Sequence, residues 1–110
     1  MNSKFTTPKS KHMFIVRDIF HLQFGHYRDV KALFDDVKAK GLLDDLPQMR
    51  LLTDFTGDSY RLIMESTFNS LGEYETSLGS SMNQDEWRQW YEKFKPHVRH
   101  SNREILKQVM

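Results

Sequence analysis

Cysteine is missing altogether from this 110-residue chain. Its absence removes disulfides, thiolate nucleophiles, thiolate-held metals and iron–sulfur clusters in one step, and suits a reducing, cytoplasmic setting. An excess of one charge is missing too. Sixteen Lys and Arg stand against 15 Asp and Glu, a formal net charge of +1, so no global field draws the chain to nucleic acid or to an anionic membrane. No apolar run approaches the roughly 18 residues of a membrane-spanning helix. The first twelve residues place Lys4, Lys9 and Lys11 among Ser and Thr with no apolar stretch of signal-peptide length behind them, so no export is expected. Glycines are few, and Gly25, Gly57 and Gly79 stand alone, so there is no phosphate-cradling loop. A Gly-x-Ser-x-Gly elbow is likewise absent.

Aromatic residues are plentiful: eight Phe, four Tyr and two Trp, each needing a core or an interface for its ring. Residues 1–12 have no periodicity and read as a disordered tail; residues 13–110 read as one domain, since a chain this long supports a single core. Phe14 to Leu22 is β-branched and aromatic and closes at Gly25, a first strand. Tyr27, Val30, Leu33, Phe34 and Val37 then recur at helical spacing up to about Gly41. Gln48 to Phe55 and Tyr60 to Phe68 read as two strands joined by a hairpin turn at Thr56-Gly57-Asp58-Ser59. Ser70 with Glu73 three residues on forms a capping box for a second helix, which Gly79-Ser80-Ser81 is expected to interrupt. Asn83 or Asp85 caps a further segment carrying Trp87, Trp90, Tyr91, Phe94 and Val98 on one face, with Pro96 near its end, and Arg103 to Val109 reads as the last strand.

The resulting order, β-α-β-β-α-β, is that of an α+β ferredoxin-like sandwich: a four-stranded antiparallel sheet with helices on one face. The first strand is apolar on both sides, Phe14, Val16, Phe20 and Leu22 alternating with Ile15 and Ile19, while Leu52 and Ile63 interrupt otherwise polar sets. A sheet of this composition left bare invites aggregation. Two copies laid face to face would cover it as a homodimer, a closed barrel across a two-fold axis; the alternative is a monomer whose sheet receives a peptide or RNA strand. Three stretches resemble the dimeric α/β-barrel superfamily, and within it the small NIPSNAP-like and antibiotic-biosynthesis-monooxygenase-like proteins. They are Phe24-Gly25-His26-Tyr27, Trp87 to Phe94 with Pro96 and Val98, and Arg103-Glu104-Ile105-Leu106. The resemblance covers roughly residues 14–110. It implies fold and dimerisation more than activity.

By strand alternation Arg17 and His21 share a face, and Arg50, Asp54, Arg61, Glu65 and Glu104 fall on that same side. Such a mixed lining suits a cavity inside the barrel. Arg17, Arg50, Arg61 and Glu65 are the expected ligand-binding residues for an acidic or carbonyl-bearing small molecule, with His21 as the catalytic proton-transfer group. The plainer alternative is that these charges pair with one another or lie at a solvated rim. His21 with His26, and His97 with His100, are spaced for a metal, but neither pair brings a third ligand in sequence, so solvated histidines and no metal are expected. The aromatic row fits a core stripe better than a stacking platform for flavin, haem or a nucleobase, so no cofactor is expected. The third strand lacks, over Tyr60 to Glu65, the glycine–aromatic motif with which RNA-recognition domains stack bases. Two functions stand: a cofactor-independent monooxygenase-like or isomerase-like enzyme acting on a small carbonyl compound, or a non-catalytic metabolite-binding or interaction module.

Overall fold

The computed structural model describes residues 13–44, 46–57, 60–82 and 85–110, without the side chains of residues 80–82. The expected tail at residues 1–12, the turn residues Asp58 and Ser59, and the alternative cap Asn83 lie outside them. Strand β1 (Phe14–Leu22) leads to helix α1 (Tyr27–Ala39), then to strands β2 (Arg50–Thr53) and β3 (Arg61–Phe68), helices α2 (Leu71–Met82) and α3 (Asp85–Phe94), and strand β4 (Val98–Lys107). The four strands form one antiparallel sheet in the order β2-β3-β1-β4, the ferredoxin-like arrangement.

Local chemistry explains the boundaries. Gly41 has φ of 76° and ends α1 in a two-bond cap: its own N–H donates to the Lys38 carbonyl at 3.0 Å and the Leu42 N–H to that of Val37 at 3.2 Å. A left-handed residue at this point suits glycine because it has no Cβ to clash. The Ser70 hydroxyl accepts from the Glu73 N–H at 3.1 Å, and Glu73 reaches back to the Asn69 N–H at 3.3 Å, so the expected capping box is formed, displaced by one residue on its return arm.

The structure departs from three expectations by more than the residue or two at strand ends. Gly79-Ser80-Ser81 does not break the second helix; α2 runs through them to Met82, since an isolated glycine costs a helix only about 1 kcal/mol. Pro96 does not kink α3 but follows its end at Phe94, inside a 3-10 turn over Lys95–His97, where the missing N–H is tolerated. The last strand begins five residues earlier than the sequence suggests, at Val98 in place of Arg103.

The core lies between the sheet and the helices. Val30, Phe34 and Val37 of α1 and Trp90 and Phe94 of α3 meet Leu22 and Leu62 of the sheet, with Phe20, Met64 and Leu51 packed against them. The rings are ordered: Trp90 and Phe94 stack with centroids 4.9 Å apart, and Phe20 and Phe34 meet Phe94 edge-on. The Trp90 indole N–H donates to the Leu33 carbonyl at 2.8 Å, tying α3 to α1. Trp90 and Phe94 thus behave as the expected core stripe, whereas Tyr91, placed on the same stripe by spacing, is half exposed.

Candidate functional site

Register decides what the uncovered face of the sheet carries. Arg17 lies opposite Glu65 on β3 and Glu104 on β4, and Arg50 lies opposite Glu65 from β2. The result is a transverse ionic row, Arg50–Glu65–Arg17–Glu104. The next row is apolar: Leu52, Ile63, Ile19, then Asn102. The third is Arg61, His21, His100. All five residues selected from the sequence, Arg17, His21, Arg50, Arg61 and Glu65, are therefore brought onto this one face.

Glu65 is the centre of the ionic row. It is 2 % exposed although no helix covers it. Arg17 Nε donates to one of its oxygens at 2.7 Å and Arg50 Nη2 to the other. Burial pushes the carboxyl pKa upward, but the hydrogen bonds and charges of Arg17 and Arg50 outweigh it and hold the group below its ordinary value. Asp54, just past β2, takes Arg61 on both oxygens at 2.9–3.2 Å. That hydrogen bonding lowers its pKa against the opposing effect of burial. His21 sits beside His100, ring centroids 5.2 Å apart. The charges expected to bind a ligand thus pair with one another in this chain. Arg50, with a side chain 66 % exposed, still has N–H donors to offer.

The helix side holds an arrangement that sequence reasoning missed. Asp18 interrupts the apolar set Phe14, Val16, Phe20 and Leu22 that points toward the helices. Opposite it in register is Arg103. Arg103 Nε donates to the Asp18 carboxylate, and its Nη1 to the Tyr74 hydroxyl of α2 at 2.5 Å. Burial works against the charged guanidinium, yet the Asp18 hydrogen bond and charge, with Tyr74, raise its pKa above the ordinary arginine value. Burial is also the main cause of a raised Tyr74 pKa. Two clefts of about 280 and 150 Å³ share Asp18, Met64, Trp87 and Arg103; the larger is walled by Phe20, Trp90 and Phe94, the smaller by Phe68, Tyr74 and Leu78. Apolar walls around a few fixed polar groups are the usual make-up of a small-molecule site. The signal was present in the sequence: one carboxylate at position 18 on an otherwise apolar strand face.

The histidines pair differently from their sequence spacing. His26 meets His97 across the fold, and His21 meets His100 across adjacent strands. Among the described residues no helix is long and apolar enough to cross a membrane.

A four-stranded antiparallel sheet with its helices on one face, clefts beneath those helices and an ion-paired opposite face defines a small ferredoxin-like α+β protein. Comparison with solved structures narrows this. A NIPSNAP family protein from Agrobacterium tumefaciens matches with a TM-score of 0.79 over 86 % of this chain and 91 % of its own, at 16 % identity. An uncharacterised NIPSNAP-like domain protein from Burkholderia xenovorans matches at 0.78, with 14 % identity over 87 % of this chain and 84 % of its own. A candidate antibiotic biosynthesis monooxygenase from Chloroflexus aurantiacus matches at 0.64, with 9 % identity over 89 % and 94 %. The resemblance drawn from the sequence is borne out at the level of fold. No family model and no curated protein matches the sequence.

Proposed function

We propose that this chain binds a small, largely apolar molecule carrying a carbonyl or carboxylate, in the clefts between α2, α3 and the sheet, and does so as a homodimer joined through the uncovered sheet face. The observation that carries the reading is Arg103, fixed between Asp18 and Tyr74 and bordered by aromatic walls on both sides. An arginine so oriented offers its remaining N–H donors to an acceptor on the ligand while the rings take up the apolar body. Dimerisation is supported by the apolar row Leu52, Ile63 and Ile19 between two polar rows. Leu52 and Leu106 remain about 40 % exposed on this face, and a second copy would cover them.

A panel of aromatic carboxylates and ketones tests this by thermal shift, because a ligand that binds only the folded state raises the unfolding midpoint. Stabilisation that is lost in Arg103→Met and kept in Arg50→Met supports the helix-side cleft. No shift with any compound overturns it. A second reading places the ligand between the two copies, held by Arg17, Arg50, Arg61 and Glu65 with His21 moving a proton; the spare donors of Arg50 favour it, and the opposite pattern of the two variants supports it. Turnover of the bound compound distinguishes a monooxygenase-like or isomerase-like enzyme from a metabolite-binding module.

A further inference from the structure

His26 and His97 are 71 positions apart in sequence, yet their Nδ1 atoms face each other at 2.9 Å. Asp29, one turn into α1, places a carboxylate oxygen so that all three ligand atoms lie within 4.8 Å of one another. This is the one group of three such side chains found among the described residues that could hold a metal ion. We propose that His26, Asp29 and His97 form a binding site for a divalent first-row transition metal such as zinc, independent of both the clefts and the dimer.

The backbone prepares the site. Gly25, at φ 85°, turns the chain out of β1, and its N–H donates to the Tyr60 hydroxyl at 2.7 Å. Gln23 then joins both histidine segments: its N–H donates to the His97 carbonyl at 2.8 Å, and its carbonyl accepts from the His26 N–H at 3.0 Å. The backbones of the two histidines are therefore anchored to one residue. His26 occupies the N-cap of α1 without capping it through its side chain, so the ring is available. Asp29 is three residues further on the same helix, the spacing that puts two side chains on one surface.

The chemistry fits the cation class. Two imidazole nitrogens and one carboxylate suit zinc, copper, nickel or cobalt, and leave at least one coordination position for solvent. With bonds of about 2.0–2.2 Å, neighbouring ligand atoms lie roughly 3–3.5 Å apart around a metal. The histidine pair needs little adjustment to meet that spacing. Asp29 is exposed and can close the remaining distance by rotating its side chain. The competing state is a direct hydrogen bond, the N–H of one neutral ring donating to the nitrogen of the other, and the experiment separates the two.

The full chain is titrated with cobalt(II), whose visible bands report coordination, and with zinc(II) as competitor by calorimetry. One saturable ion per chain is expected. His26→Gln and His97→Gln should each weaken binding by more than the roughly 10–100-fold typical of an outer-shell partner, Asp29→Asn by about 10-fold, and His21→Gln or His100→Gln not at all. In the unaltered protein, where variant folding is not at issue, zinc should move the imidazole NMR signals of His26 and His97 together. Absence of saturable binding overturns the proposal. So does binding that survives loss of His26 and His97, or imidazole shifts confined to His21 and His100.

Discussion

On β1 the even-numbered Phe20 and Leu22 enter the aromatic core beneath the helices, whereas the odd-numbered Arg17 and His21, one residue away, join ion pairs and ring contacts on the side no helix covers. Both faces bury residues: Leu22 is 3 % exposed on the first, Ile19 6 % and Glu65 2 % on the second. The helix side does so by packing rings. The other side relies on two arginines from neighbouring strands closing over one carboxylate, with an apolar row held between charged ones. An uncovered sheet can therefore hide part of its own surface through cross-strand pairing. Pairing charges desolvates them, however, and stabilises less than packed rings do.

The comparison breaks most sharply at the aromatic core. Phe94→Ala should cost about 4 kcal/mol in denaturant unfolding, because it deletes a ring that meets Phe20, Phe34 and Trp90. Glu65→Ala should cost about 2–3 kcal/mol, below the usual 3–5 for breaking a buried pair, since both arginines that it abandons reach solvent. In a double-mutant cycle with Arg50→Ala the double variant should lose less stability than the two single variants summed, and additivity would mean that the ionic row is only a neighbourly arrangement.

Acid sharpens the same contrast. The folded-state pKa of Glu65 is depressed, so its contribution is fully present above the unfolded-state value of about 4.3 and is lost as pH falls through the folded value. The unfolding midpoint should hold down to about pH 5 and fall below it. Glu65→Gln should flatten that fall, and an unchanged pH profile in this variant would place the acid sensitivity elsewhere. Ser70→Ala, by removing the α2 cap, should cost about 1 kcal/mol. The smallest effect on folding is expected from Leu52→Glu, within about 0.5 kcal/mol for the isolated chain, because Leu52 is 40 % exposed. The same change should convert a dimer to a monomer in sedimentation equilibrium; a variant that still sediments as a dimer would put the interface on another surface.

The sequence was most informative where structure is local. The β-branched and aromatic strand Phe14–Leu22, the stripe Val30, Phe34, Val37, the helix end at Gly41 and the cap at Ser70 each depend on residues within a few positions, and each is found. Alternation also placed Arg17, His21, Arg50, Arg61 and Glu65 on a common side correctly, since a strand residue's face follows from parity once the register is set. Which of them touch was not written there.

Pairings across the fold belong to the tertiary structure alone. Arg103 finds Asp18 across 85 positions and Glu65 finds Arg17 across 48, while His26 takes His97 as its neighbour in preference to the closer His21. A one-residue slip between β1 and β4 would send Arg103 to the opposite face and undo the cleft. A register shift between His21 and Leu22 lets the strand re-aim beside the turn that carries His97. Residue types and spacing along the chain thus set the elements and their apolar faces, because those arise from neighbours in sequence. Strand register and helix docking decided which charges, rings and imidazoles meet, because those contacts exist only once distant segments have been brought together.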